Sequence, residues 1–448
     1  MLLNYSEPEF HVKRFNRARL GICVILLFGT TSVLAAQRVQ APVLHAKTYN
    51  SHFPKAAGLG ESYNGIGESN DGTIYYAIDS RVYNIPGQIY SLNPRTGQIT
   101  HVADLNTAIG QGNIHAVAQG KVHVTFMEYH GKLYFSTHLG YYNQSSGIER
   151  TAVAPNDYKP YPGGHFVSYD LRTKEFRSLA IAPHGEGIIA FNMDGKRGRL
   201  YGLTWPSGDF LRFDLETHQL KDFGSFFDKG EAGRIGSTYR AICRRIVLDP
   251  DDGNVYWTTG DGAIHEYLYK TDAVGTVPGV NLHKDYFGQF DPSKHSMAYN
   301  WRAAVWDPND HTIYGVNGTS GYLFRFDPTA QTVRVLRRLT SLPSQAAGMF
   351  DQTPYGYLGL ALDVPTNTLY YLTGSPPPPG AGSREGSHLV TYDIATNKYI
   401  DHGEIMLDDG KPAGDEQAIV IGHDGTIYTL TTIHRDGKLV MDLISFHP

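Results

Sequence analysis

Asp71-Gly-Thr-Ile-Tyr75 is a phrase that the chain repeats, as Gly131-Lys-Leu-Tyr134, Gly198-Arg-Leu-Tyr201, Gly253-Asn-Val-Tyr256, His311-Thr-Ile-Tyr314, Asn367-Thr-Leu-Tyr370 and Asp424-Gly-Thr-Ile-Tyr428. Each copy is a turn followed by a hydrophobic–tyrosine pair, and successive tyrosines lie 59, 67, 55, 58, 56 and 58 residues apart. A period held over the whole chain is the signature of a repeat architecture. Working outward, apolar strands precede the phrase, as in Arg302-Ala-Ala-Val-Trp306 and Tyr357-Leu-Gly-Leu-Ala-Leu362. A second strand pair follows it, as in Gln88-Ile-Tyr-Ser-Leu-Asn93, Phe210-Leu-Arg-Phe-Asp214 and Leu323-Phe-Arg-Phe-Asp327, with a last strand such as Thr396-Asn-Lys-Tyr-Ile400. Four strands in each of seven units predict an all-β protein, a single seven-bladed β-propeller. The repeated tyrosines are expected in the core, packed against the neighbouring blade. The last unit supplies only three strands, Gln417–Ile421, Thr426–Thr431 and Leu439–Phe446, and Val43–Tyr49 is placed to add the missing outer strand and close the ring.

Forty-nine glycines, thirty tyrosines and 19% charged residues suit a turn-rich β protein. Ahead of the repeats, Lys13, Arg14, Arg17 and Arg19 precede an apolar run from Leu20 to Ala36. Small residues then stand at Ala35 and Ala36, before Gln37. That order predicts a signal peptide over 1–36 and a propeller domain over 37–448, exported to the periplasm or outside the cell. The alternative reading of the run is an uncleaved anchor. Without residues 1–36 the chain keeps 35 basic and 42 acidic residues, a net charge of −7 with no basic tract, which argues against nucleic acid as a partner. No later stretch is apolar enough to span a membrane, and Cys243 is the one cysteine beyond the leader, so no internal disulfide is expected.

In a propeller, the loops leading into the inner strands and those joining second to third strands open on one face. Those positions hold Tyr63, Asn64, His123, His184, Glu186, Tyr239, Arg240, Trp301, Arg302, Tyr355, Tyr357, Asp415 and Glu416, with His138, Tyr141, Tyr142, Trp205 and Asp261. Titratable and aromatic groups converging on one rim mark a candidate site. Each also has a structural reading: His123 as a satisfied core histidine, Trp205 and Trp301 as inter-blade core, and Arg240 and Arg302 paired with Glu186 or Asp415. His123 and His138 are expected side by side, one heading the inner strand of blade two and the other ending the next strand. There is no Gly-rich phosphate loop, no Gly-x-Ser-x-Gly elbow and no zinc-finger spacing. Glu186, Asn64 and Asp261 could be assembled into the metal set of a lactonase propeller, which leaves a divalent metal ion open as a cofactor.

Gly120-Lys-Val-His-Val-Thr-Phe126, Gly131-Lys-Leu-Tyr-Phe-Ser-Thr-His-Leu-Gly-Tyr-Tyr142 and Gly198-Arg-Leu-Tyr-Gly-Leu-Thr-Trp-Pro206 resemble the propeller-fold polysaccharide lyases, the ulvan and oligogalacturonate lyases. The specific part covers about eighty residues of blades two and three. The resemblance implies cleavage of acidic oligo- or polysaccharides by β-elimination in a groove over the propeller axis, with His123 and His138 matching the family's histidine pair. Blade three departs from the pattern, carrying Ile189 and Trp205 where a tyrosine and an arginine are expected. Tyr239 and Arg240 are the candidates to replace them. The resulting expectation names His123, His138 and Tyr239 as catalytic. Arg240, Arg302, Trp205, Trp301, Tyr141, Tyr142, His184 and Glu186 are expected to bind substrate. The rival readings are a propeller that binds a glycan or protein without catalysis and the metal-dependent lactonase.

Overall fold

The structure, a computed structural model, describes residues 42–448 except 52–59, 146–147, 152–153, 156, 288–289, 292–296, 319, 347–358, 375–385, 415–417 and 436. The expected leader therefore lies outside the described residues, as do Tyr355, Tyr357, Asp415 and Glu416.

Seven antiparallel sheets form the blades of a β-propeller. Blade one runs from Ile66 to Asp104, two from Gln119 to Ile181, three from Gly187 to Ser225 and four from Val247 to Asn281. Blade five runs from Trp301 to Arg338, six from Leu360 to Met406 and seven from Val420 to Phe446. Each repeated phrase turns into the second strand of its blade. The turn residue sits at positive φ in every copy: Gly72, Gly131, Gly198, Gly253 and Gly425, with His311 at +54° and Asn367 at +53°. A left-handed position explains why the phrase favours glycine and elsewhere tolerates His or Asn. The tyrosines fill the gaps between blades as expected. Tyr201 is fully buried and its ring lies 5.3 Å from that of Tyr267 in blade four, while Tyr75 meets Tyr169 of blade two edge-on at 6.1 Å.

The N-terminal segment closes the ring in two steps. Lys47–Thr48 pairs antiparallel with Lys438–Phe446 as the fourth strand of blade seven. Val43–His45 runs parallel to the outer strand of blade six as a fifth strand, Leu44 opposite Ile405. The clasp is then fixed by Asp442, fully buried, which accepts from the Ser51 hydroxyl at 2.6 Å and from Arg435 Nη2 at 2.5 Å.

Blade two departs from the regular plan. Its inner strand is split into Gln119–Lys121, which pairs with His138–Leu139, and Met127–Tyr129, which pairs with Lys132–Ser136. Gly120, Gly140 and Ser80 cross here at backbone contact, and a Cβ on Gly140 would fall 1.8 Å from the Ser80 carbonyl oxygen. This crossing locks the blade one and blade two loops at the channel mouth together.

Candidate functional site

Lys121 and the segment between the two pieces of the split strand carry the centre of the site. From Lys121 to Phe126 the side chains alternate. Val122, Val124 and Phe126 are buried in the apolar core, whereas Lys121, His123 and Thr125 meet polar and aromatic groups at the channel. His123 Nδ1 is 3.0 Å from the Ile189 carbonyl oxygen of blade three. A carbonyl can only accept, so Nδ1 carries the proton and Nε2 keeps its lone pair. Tyr63 stacks on the imidazole at 5.0 Å with 11° between the planes, and His138 meets it edge-on at 5.8 Å. Gly187 makes room for His138, since a Cβ there would fall 1.9 Å from Nδ1, which has no hydrogen-bond partner among the described residues.

Around this pair lies a charged network. Lys121, 2% exposed, forms an ion pair with Glu61 and places its ammonium over the rings of Tyr63 at 4.7 Å and Tyr142 at 5.4 Å. Arg81 grips the same Glu61 through Nε at 2.8 Å and Nη2 at 2.5 Å. Burial pushes the Glu61 carboxyl up, but the Lys121 and Arg81 cations outweigh it and hold it at about 2. Asp79 is fully buried, and burial drives its carboxyl well above the usual range despite Lys121 and a hydrogen bond from Val122 N. Both histidines are held well below the ordinary imidazole value. Burial is the main cause; His123 is pushed further by His138 and by the positive field of Arg244, Lys121 and Arg302, His138 by Lys121 and Arg244. The two rings are neutral in a cationic surrounding.

Trp205 completes the wall, edge-on to His138 at 5.5 Å and 5.1 Å from Tyr142. It is 2% exposed and its Nε1 donates to Glu231 Oε2 at 2.7 Å. Trp301 is fully buried, stacks on Phe324 and donates to the Arg245 carbonyl at 2.7 Å. Neither offers the open face of a sugar-stacking platform, because each indole is spent on packing and one buried acceptor. Tyr141 meets Tyr83 edge-on at 5.6 Å, beside the mouth.

The structure does not bring Tyr239 and Arg240 to the histidines. Tyr239 packs in a separate buried cluster with Ala241 and Met297. Arg240 donates to the carbonyls of Tyr239 and Ser237 at 2.7 and 3.1 Å and stands 3.8 Å from Asp228, held by its own loop. Arg302, 2% exposed, donates to Met297 Sδ at 3.6 Å.

Residues for the lactonase set are engaged separately. Asn64 Oδ1 accepts from Arg245, Glu186 accepts from the Ser207 hydroxyl at 2.7 Å, and Asp261 accepts from the Thr259 hydroxyl at 2.6 Å within its own turn. Among the described residues, the ligand atoms of His184, in the turn leading into blade three, and of Asp209 and Asp222 within it lie within 4.8 Å of one another and could take a cation.

Sequence reading missed Lys121, Glu61, Arg81, Asp79, Arg244 and Arg245. The signal for the last two was present: two consecutive arginines stand between the apolar runs Ala241-Ile-Cys243 and Ile246-Val-Leu248, just ahead of the inner strand of blade four.

No protein-family model matches the chain, and no curated protein matches it. Solved structures do. The WD40 repeats of RRP9 superpose with a TM-score of 0.53 at 9% identity, over 91% of this chain and 99% of that one. The extracellular domain of the hybrid two-component system BT4673 from B. thetaiotaomicron gives 0.49 at 13% identity, over 89% of this chain. The chain spans only 39% of that structure's length. At such identity the superposition on the RRP9 repeats shows the propeller fold alone. No helix among the described residues is long and apolar enough to cross a membrane.

Proposed function

We propose that the channel mouth binds an acidic glycan and cleaves it by β-elimination, with His123 Nε2 as the base. The supporting observation is the state of His123: a neutral imidazole whose Nδ1 is tied to a backbone carbonyl, so that Nε2 is the basic atom. Its surroundings suit the substrate. Lys121, Arg244 and Arg302 set a positive field at the ring. A uronate carboxylate placed there is stabilised, and the negative charge that develops at C5 is stabilised further. The bound carboxylate also raises the basicity of His123 toward the working range of a general base. In the step, the C5–H bond breaks and its proton passes to Nε2. The electron pair forms the C4–C5 double bond and the C4–O bond breaks. The leaving oxygen then takes the proton from Nε2, which returns His123 to neutral.

Incubation with a panel of uronate polysaccharides, read by ultraviolet absorbance of the unsaturated product, tests this. Activity is expected in the native chain, and His123→Ala is expected to lower it by a factor of about 10² or more. Absence of product on every polymer, with and without divalent metal, leaves the binding propeller as the reading. Retained activity in His123→Ala assigns the base elsewhere. The charged stretch, apolar run and small residues over 13–36 support export in the same proposal. Amino-terminal sequencing of the protein recovered from the periplasm or medium checks it, a start at Gln37 being expected.

A further inference from the structure

Arg244 and Arg245 are consecutive and meet opposite fates. Arg244 is buried and has a carboxylate, its Nη1 lying 2.5 Å from Glu231 Oε1. Arg245 precedes the inner strand of blade four, Val247–Leu248, and its side chain reaches residues of blades one and two. Its Nη2 donates to Asn64 Oδ1 of the loop into blade one at 3.1 Å, and its Nη1 donates to Thr125 Oγ1 of blade two at 3.2 Å. Both acceptors are neutral. The remaining N–H groups, that of Nε among them, meet no acceptor among the described residues, and Nε is buried. No carboxylate answers this guanidinium among the described residues, whereas the neighbouring buried cation Lys121 has Glu61. Burial alone lowers its basicity to about 10, which leaves it charged at neutral pH.

A desolvated cation with only neutral partners is costly, and an anion brought to it recovers that cost. The position also fits the mouth above. Asn64 adjoins Tyr63, which stacks on His123, and Thr125 lies two residues on from His123 between the two pieces of the split strand. The planar fork, with three N–H groups unspent, suits the two oxygens of a carboxylate.

We infer that Arg245 is the floor of a carboxylate-binding site in the propeller channel, beneath the His123–His138 pair. The inference rests on the reading of the mouth as an acidic-glycan site, but it concerns binding and needs no cleavage. The carboxylate can come from a hexuronate or from a simple free acid, and the probes separate the two. Thermal unfolding and calorimetric titration are run at constant ionic strength with sodium glucuronate, sodium acetate and glucose. Glucuronate has no glycosidic bond at C4, so it reports binding even if no polymer is ever cleaved.

Glucuronate is expected to raise the midpoint of the native chain, and glucose to leave it unchanged. A rise with acetate as well assigns the site to any carboxylate, and a rise with glucuronate alone assigns it to the sugar acid. Arg245→Met is expected to fold at least as well as the native chain, because it removes an unpaired charge, and to bind glucuronate at least tenfold more weakly. Arg245→Lys, which keeps the charge without the fork, is expected to bind with intermediate affinity and serves if the Met variant does not fold. The inference is overturned if no carboxylate shifts the native midpoint beyond the glucose control, or if the response survives undiminished in both variants.

Discussion

Lys121 shows how much a single side chain in this channel depends on its neighbours. Its ammonium is removed from water, yet burial does not win: the Glu61 carboxylate raises its basicity above the ordinary lysine value. Removing one partner of a buried pair leaves the other uncompensated. Lys121→Ala is therefore expected to destabilise the fold by about 3 kcal/mol, read from urea unfolding. Stability equal to the native chain would show that Arg81 alone satisfies Glu61. Period-two alternation in Gly120–Phe126 made this legible in principle, because Lys121, His123 and Thr125 share a strand side. His123 and His138 were found from their places at the head of one strand and the end of the next, and they do meet. Tyr239 and Arg240 were chosen by position in a loop, and loop direction is not encoded in a period. Their side chains turned to local packing and to carbonyls instead.

At the scale of elements, the second strand of each blade was legible because one turn geometry is used seven times and one aromatic fills one kind of gap. The inner strand of blade two was not, since the crossing of Gly120, Gly140 and Ser80 at its split brings together residues far apart in sequence. The closing strands fall between these cases. Val43–Tyr49 was recognisable as the spare strand, but its division between blades six and seven depends on pairing with distant partners. Asp442 holds that closure through Ser51 and Arg435. Asp442→Ala is expected to cost about 3 kcal/mol, because its hydrogen bonds from Ser51 and Arg435 are lost and Arg435 keeps only the Tyr49 carbonyl. A thermal melt reads the loss, and limited proteolysis is expected to cut first near residue 50. An unchanged midpoint would show that the strand pairing alone suffices.

For the whole molecule, acid is the condition to which the fold is most exposed. Burial holds His165 and His265 at about 4, against 6.5 for the free side chain, and also holds His123 and His138 well below the free value. Below 6.5 the unfolded chain binds protons that the folded chain refuses, so stability falls as pH falls. The contribution of these histidines is complete above about pH 6.5 and is lost progressively toward pH 4 and below. Glu61 adds a loss of the same sign between 4.5 and about 2. Asp79 opposes it, since its raised carboxyl favours the fold at low pH. The melting midpoint is expected to drop steadily between pH 7 and pH 4, and a flat profile would mean that these imidazoles titrate freely in the fold. The ring closure has a further consequence, in time. Thr48 bonds Asp408 across 360 residues, and Ser51 bonds Asp442 across 391. A chain made from its amino terminus presents those closing residues first and their partners last. Such long-range pairing is slow to find, so a partly synthesised ring carries an open strand edge on its first and newest blades, and the earliest residues must stay unpaired until the last blade exists to receive them.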